Sequence, residues 1–144
     1  EKSTKEIKEK LKGVKDIIPR MATMVAVLKN NIPYYFWCGF YFAEDDKLVI
    51  GPYQGTTACA NIGYEGVCGT SVKKEHTIIV PDVHKFPGHI VCDPVSKSEI
   101  AVPLIDKEER IIGCLDVDSA EFNSFDHIDK EHLEKLMLLL LEEG

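Results

Sequence analysis

An α+β domain, with helices at both chain ends around an antiparallel sheet, is the fold class this sequence predicts. Three observations lead there. Residues 4–31 carry apolar side chains at steps of three and four. The middle of the chain twice shows two strand-like runs joined by a polar turn. From Asp126 onward a helical period returns.

The first stripe is Ile7, Leu11, Val14, Ile18, Met21, Val25, Leu28 and Ile32, one face of a helix. Pro19 lacks a backbone N–H and clashes with a preceding helical turn. Two helices are therefore expected, with a break or sharp kink at about Lys15–Pro19. The stripe suits a layer over a sheet, and it also suits a partner helix in a homodimer. Lysines at residues 2–15 alternate with glutamates, which makes a solvated helix face rather than a basic arm. Tyr34–Phe42 and Lys47–Gln54, joined by Glu44-Asp45-Asp46, form a hairpin. A glycine-containing loop follows Cys59, and Gly66–Gly69 places Cys68 at the start of a short helix. Thr77–Val80 is a short strand. Residues 81–98, with Pro81, Pro87, Gly88 and Pro94, form an irregular stretch long enough to suggest a functional loop. Glu99–Ile105 and Arg110–Val117 make a second hairpin across Asp106–Glu109. A last helix, about 126–142, capped by Ser124 or Asp126, buries Leu133, Leu136, Met137 and Leu140. No repeat or linker interrupts the chain, so one domain over 1–144 is expected: a helical segment at about 4–31, sheet and loops at about 33–118, then the last helix.

A chain of 144 residues with 44% hydrophobic and 28% charged residues can bury a core of its own. Its net charge of −7 disfavours a nucleic-acid surface, where phosphates need clustered Lys and Arg. The five cysteines, Cys38, Cys59, Cys68, Cys92 and Cys114, are odd in number and scattered. That is no disulfide scaffold and points to a reducing compartment, the cytoplasm. No signal peptide is visible, and the apolar run Leu136–Leu141 is far shorter than the ~20 residues a membrane span needs.

Strand periodicity brings certain side chains together. In WCGFY, Trp37, Gly39 and Tyr41 share a face, either as core packing or as two aromatics flanking a notch. In LDVDS, Asp116 and Asp118 share a face, either as turn formers or as a carboxylate pair that needs a cation, a donor or a retained proton. Glu99 opens the neighbouring strand, so three acids can converge on one pocket. That arrangement suits an ammonium group, general acid chemistry or a hard metal ion. Cys59, Cys68 and Cys92 all lie near glycines or in loops, and His89 is placed to assist Cys92. The set Cys59, Cys68, Cys92 with His84 or His89 has zinc-type donors, but no C-x2-C pair, so no metal site is expected. Cys38 and Cys114, mid-strand, are assigned to packing.

Taken in order, WCGFY, LVIGPYQGTTAC, GVCGTSV, VPDVHKFPGHIVCD, SKSEIAVPL and GCLDVDS closely resemble the free methionine-R-sulfoxide reductase family. The resemblance runs from about Trp37 to the last helix. It implies a GAF-like fold: a central antiparallel sheet with the N- and C-terminal helices on one face and a long active-site loop on the other. It implies that Cys92 is the catalytic thiol, Cys59 the main resolving thiol and Cys68 an auxiliary one. Substrate contacts fall on Trp37, Tyr41, Glu99, Asp116 and Asp118. The implied reaction is attack of the Cys92 thiolate on the sulfur of free methionine-(R)-sulfoxide, giving a sulfenic acid, then a disulfide. No cofactor is bound, and thioredoxin supplies the electrons. The alternative is a GAF module that binds a ligand or senses redox state without turnover.

Overall fold

The N-terminal stripe folds as two helices, α1 (Lys2–Leu11) and α2 (Ile17–Asn31). The computed structural model describes residues 2–90 and 92–142. Glu1, Glu143, Gly144 and Val91, the last within the loop expected at 81–98, lie outside the described residues. The helix break falls at 12–16, ahead of the expected position, with Gly13 in the left-handed region at φ +76°. Pro19 sits in the first turn of α2, where its missing N–H would have had no helical acceptor. The break resets the phase of the stripe. Ile18 is consequently 50% exposed, and Ile17 packs against the core instead.

Among the described residues six antiparallel strands follow: β1 (Trp37–Ala43), β2 (Leu48–Gln54), β3 (Asn61–Ile62), β4 (Ile78–Val80), β5 (Ser98–Ile105) and β6 (Ile111–Ser119). Their spatial order is β3-β2-β1-β6-β5-β4. Both expected hairpins form, β1–β2 and β5–β6, and they join through β1 against β6. β1 begins at Trp37 rather than Tyr34. Tyr34 and Tyr35 instead donate their hydroxyls to Asp129 Oδ1, at 2.6 and 3.2 Å.

The period-2 alternation divides the sheet into two faces. Cys38, Phe40, Ile100, Val102, Leu115 and Val117 meet α1, α2 and α4 (His127–Leu140) in the main core. The dimer-suggesting stripe is used here, since Ile7, Leu11, Met21, Val25 and Leu28 are all buried within the chain. Asp126 caps α4, accepting from the N–H groups of Ile128 and Asp129 while Asp129 accepts from the Asp126 N–H, a reciprocal capping box. Arg20 is buried, 4% exposed. Its guanidinium donates to the Leu139 and Leu140 carbonyls, both at 2.9 Å, and to those of Leu11 and Val14 at 3.2 and 2.6 Å. These carbonyls lie at or just beyond the C-terminal ends of α4 and α1, where the regular helical ladder runs out; those of Leu11 and Leu139 also accept from the Val14 and Glu142 N–H groups.

The opposite face carries Trp37, Tyr41, Ala101 and Cys114 under α3 (Val67–Lys74). Gly69 lets this helix lie close to the preceding loop, because a Cβ there would fall inside the Tyr64 backbone. Gly69→Ala is expected to cost ~1–3 kcal/mol and to displace Cys68. A lowered urea midpoint with unchanged slope would show the first effect, and slower labelling or turnover the second. Among the described residues, no helix is long and apolar enough to cross a membrane.

Candidate active site

Register fixes the floor of the site. Trp37 pairs with Asp118 and Gly39 with Asp116 across β1–β6, and Glu99 pairs with Asp118 across β5–β6. Paired residues project to the same side, so Trp37, Tyr41, Glu99, Asp116 and Asp118 all line one pocket on the α3 face. The notch expected at Gly39 is filled by the Trp37 ring and Tyr53, which would meet any Cβ there. Trp37 stacks with Tyr41 at 6.2 Å and with Tyr53 at 5.4 Å between ring centroids.

The acids are crowded and enclosed. Glu99 and Asp116 are each 5% exposed, and Asp118 is half-buried. Among the described residues no lysine or arginine lines the pocket. Burial, then the charges of Asp116 and Asp118, hold the Glu99 pKa well above the carboxylate range. Burial and the Asp116 charge do the same to Asp118. Burial also raises Asp116, opposed by the Glu99 and Cys68 side chains beside its carboxyl. Asp116 Oδ1 is buried with no partner at all. Three carboxyls with no nearby cation cannot all ionise, and at least one retains its proton.

The α3 N-terminus brings in Cys68, whose Sγ donates to Glu99 Oε2 at 3.7 Å. The neighbouring Cys114 thiol, then burial, push the Cys68 pKa up. Cys114 therefore lies on the site face, in phase with Asp116, where it packs fully buried beneath α3. Cys38 does sit in the main core. His89 points at Glu99, Nδ1 to Oε1 3.8 Å, and lines the same pocket as Cys92. Burial lowers its pKa.

At the rim, Cys59 and Cys92 form a disulfide with their Cα atoms 5.6 Å apart. Cys92 is exposed and Cys59 half-buried. Three hydrogen bonds position the Cys59 loop. Trp37 Nε1 donates to Thr56 O at 2.9 Å, Tyr41 OH to Cys59 O at 3.1 Å, and Thr56 Oγ1 to Asp93 Oδ2 at 2.6 Å. The last bond links the two cysteine loops. That hydroxyl, then the Val95 N–H, hold Asp93 below the usual carboxylate range. Neither Thr56 nor this role of Asp93 was legible, since nothing in their local pattern marks a contact between loops 37 residues apart.

Residues 22–140 match the GAF domain family. GAF domain-containing protein A of Dictyostelium discoideum is 47% identical over 137 residues, which cover 94% of this chain and 85% of that protein. The free methionine-R-sulfoxide reductase of Escherichia coli is 43% identical over 129 residues, 89% of this chain and 78% of the relative. The chain belongs to the free methionine-R-sulfoxide reductase family. The GAF fold, an antiparallel sheet between terminal helices and an α3-side pocket, is thus the fold of a reductase family here. The free methionine-R-sulfoxide reductase from Neisseria meningitidis, solved in complex with its substrate, superposes with a TM-score of 0.90 at 37% identity. That match covers 97% of this chain and 88% of the other.

Proposed function

We propose that the chain carries out its family's reaction, reducing free L-methionine-(R)-sulfoxide to methionine through Cys92. The observation that carries this is the Cys59–Cys92 disulfide at the rim of a pocket floored by three carboxyls. A sulfoxide oxygen leaves only after it accepts a proton. The Cys92 thiolate bonds to the sulfoxide sulfur and a carboxyl protonates the oxygen; the hydroxyl then passes to the Cys92 sulfur as the sulfur–sulfur bond breaks, which releases methionine and leaves Cys92 a sulfenic acid. Glu99 is the assigned donor, because it stands between Asp116, Asp118 and His89. The Cys59 thiol then displaces water from the sulfenic acid to form the disulfide. A carboxylate pairs with the substrate's α-ammonium group, and Trp37 and Tyr41 enclose its methyl group. A peptide-bound residue lacks that ammonium charge, which accounts for selection of the free amino acid.

An external dithiol regenerates the two thiols by exchange. Thioredoxin is its proposed identity, no bound cofactor is required, and a reducing cytoplasm is the proposed compartment. The exposure of Cys92 supports access by such a protein. With the N-terminal stripe buried, a homodimer would have to use other surface. The test follows NADPH oxidation with thioredoxin and its reductase, offering free methionine-(R)-sulfoxide, the free S epimer and a peptide-bound sulfoxide. Turnover of the free R form alone is expected. No turnover of any, with folded and fully reduced protein, would favour a redox-sensing module.

A further inference from the structure

We propose that the pocket floor is also a Zn2+ site, formed by Cys68 Sγ with one carboxylate oxygen each from Glu99 and Asp116, and that the ion excludes the substrate. The ion site rests on geometry alone. The exclusion rests on the function proposed above.

One donor atom from each of these buried residues lies within 4.8 Å of the other two. Zinc–sulfur and zinc–oxygen bonds of ~2.3 and ~2.1 Å, at a tetrahedral angle, set sulfur and oxygen about 3.6 Å apart. Cys68 Sγ and Glu99 Oε2 already stand at 3.7 Å. From separations within 4.8 Å, the third donor must close by at most about 1.2 Å toward sulfur and about 1.4 Å toward oxygen to reach tetrahedral spacing. Asp116 Oδ1 is an independent sign of a missing ligand. It is buried, unpartnered and on the pocket wall, in a residue only 5% exposed. A buried carboxylate oxygen without a donor or cation is costly.

The donor set selects the metal. Magnesium and calcium take all-oxygen shells, whereas a thiolate with carboxylates suits zinc. Binding releases two protons to water, the Cys68 thiol proton and the one held by Glu99. The fourth position is left to water or to His89, whose Nδ1 is 3.8 Å from Glu99 Oε1. The site uses neither disulfide cysteine, so it is available in the oxidised chain. Its ligands come from α3, β5 and β6, far apart in sequence, so no spacing motif announces them.

The test titrates the oxidised full chain with Co2+, a spectroscopic stand-in that zinc displaces. Among its described cysteines only Cys38, Cys68 and Cys114 are then free thiols. One cobalt per chain is expected, with a sulfur-to-cobalt charge-transfer band that Zn2+ abolishes. Cys68→Ala should remove the band. Asp116→Asn, nearly isosteric, should weaken binding by at least the ~10–100-fold that loss of a mere outer-shell partner costs. No binding at millimolar cobalt, or a band that survives Cys68→Ala, overturns the site. In a Cys59→Ser, Cys92→Ser chain, which cannot turn over, free methionine-(R)-sulfoxide should displace the cobalt. Failure there, with the band intact, overturns the exclusion and the pocket assignment while leaving the ion site standing. A chain that reduces the sulfoxide but binds no cobalt loses this inference and keeps the proposed function.

Discussion

Cys92→Ser should lower turnover by on the order of a thousandfold or more, as removal of a nucleophile does, while Cys59→Ser should still complete a single turnover. The difference follows from where the two sulfurs enter the reaction. Cys92 forms the first bond to substrate sulfur, so serine, a far weaker nucleophile at neutral pH, stops chemistry before any methionine appears. Cys59 acts only after methionine has left. Without it, one methionine per chain is expected, with a sulfenic acid remaining on Cys92 that a dimedone-type reagent will trap. Quenched single-turnover experiments read the methionine, and mass spectrometry reads the adduct. Multiple rapid turnovers in Cys59→Ser would transfer the resolving role elsewhere. Cys68 is a poor substitute, because its thiol is buried and held protonated beside Glu99, Asp116 and Cys114.

Glu99→Gln is expected to move activity and stability in opposite directions. The amide has nearly the same shape and can still donate to Asp116, but it has no proton to give the sulfoxide oxygen. Loss of a general acid should lower kcat by about 10²–10⁴-fold. The same change takes one ionisable group out of a buried, cation-free cluster. Tm should then rise by roughly 3–5 °C, the shift that ~1 kcal/mol makes in a domain of this size. Calorimetry alongside the coupled assay checks both. A lower Tm with retained activity would make Glu99 a structural acceptor for the Cys68 thiol.

The parts of this molecule set by local pattern were legible in its sequence. Alternation alone placed Asp116 and Asp118 together and sent Leu115 and Val117 the other way. The cap at Asp126 follows from a short acceptor side chain before a helical run. Non-local pairings were not legible. Two hairpins can associate along several edges, and nothing in WCGFY or LDVDS says that β1 must lie against β6. The helix break moved because Pro19 is harmless in a first turn, so Gly13 rather than the proline marks the end of α1. Cys114 could have been placed on the site face, since it is in phase with Asp116, but a cysteine between apolar neighbours reads as packing. The link from Cys68 to Glu99 depends on α3 lying over β5, which no residue spacing encodes.

Arg20 has a consequence for how the molecule opens. One guanidinium, hydrogen-bonded to four main-chain carbonyls, closes the ends of α1 and α4. Fraying either helix would strand a buried positive charge, so the first and last segments are coupled and should exchange their amide hydrogens as one cooperative unit. Terminal helices are ordinarily the first to loosen. Here α1 and α4 form a single foldon on the side of the sheet away from the disulfide. Local opening at the reactive rim can then proceed without unfastening the scaffold behind it.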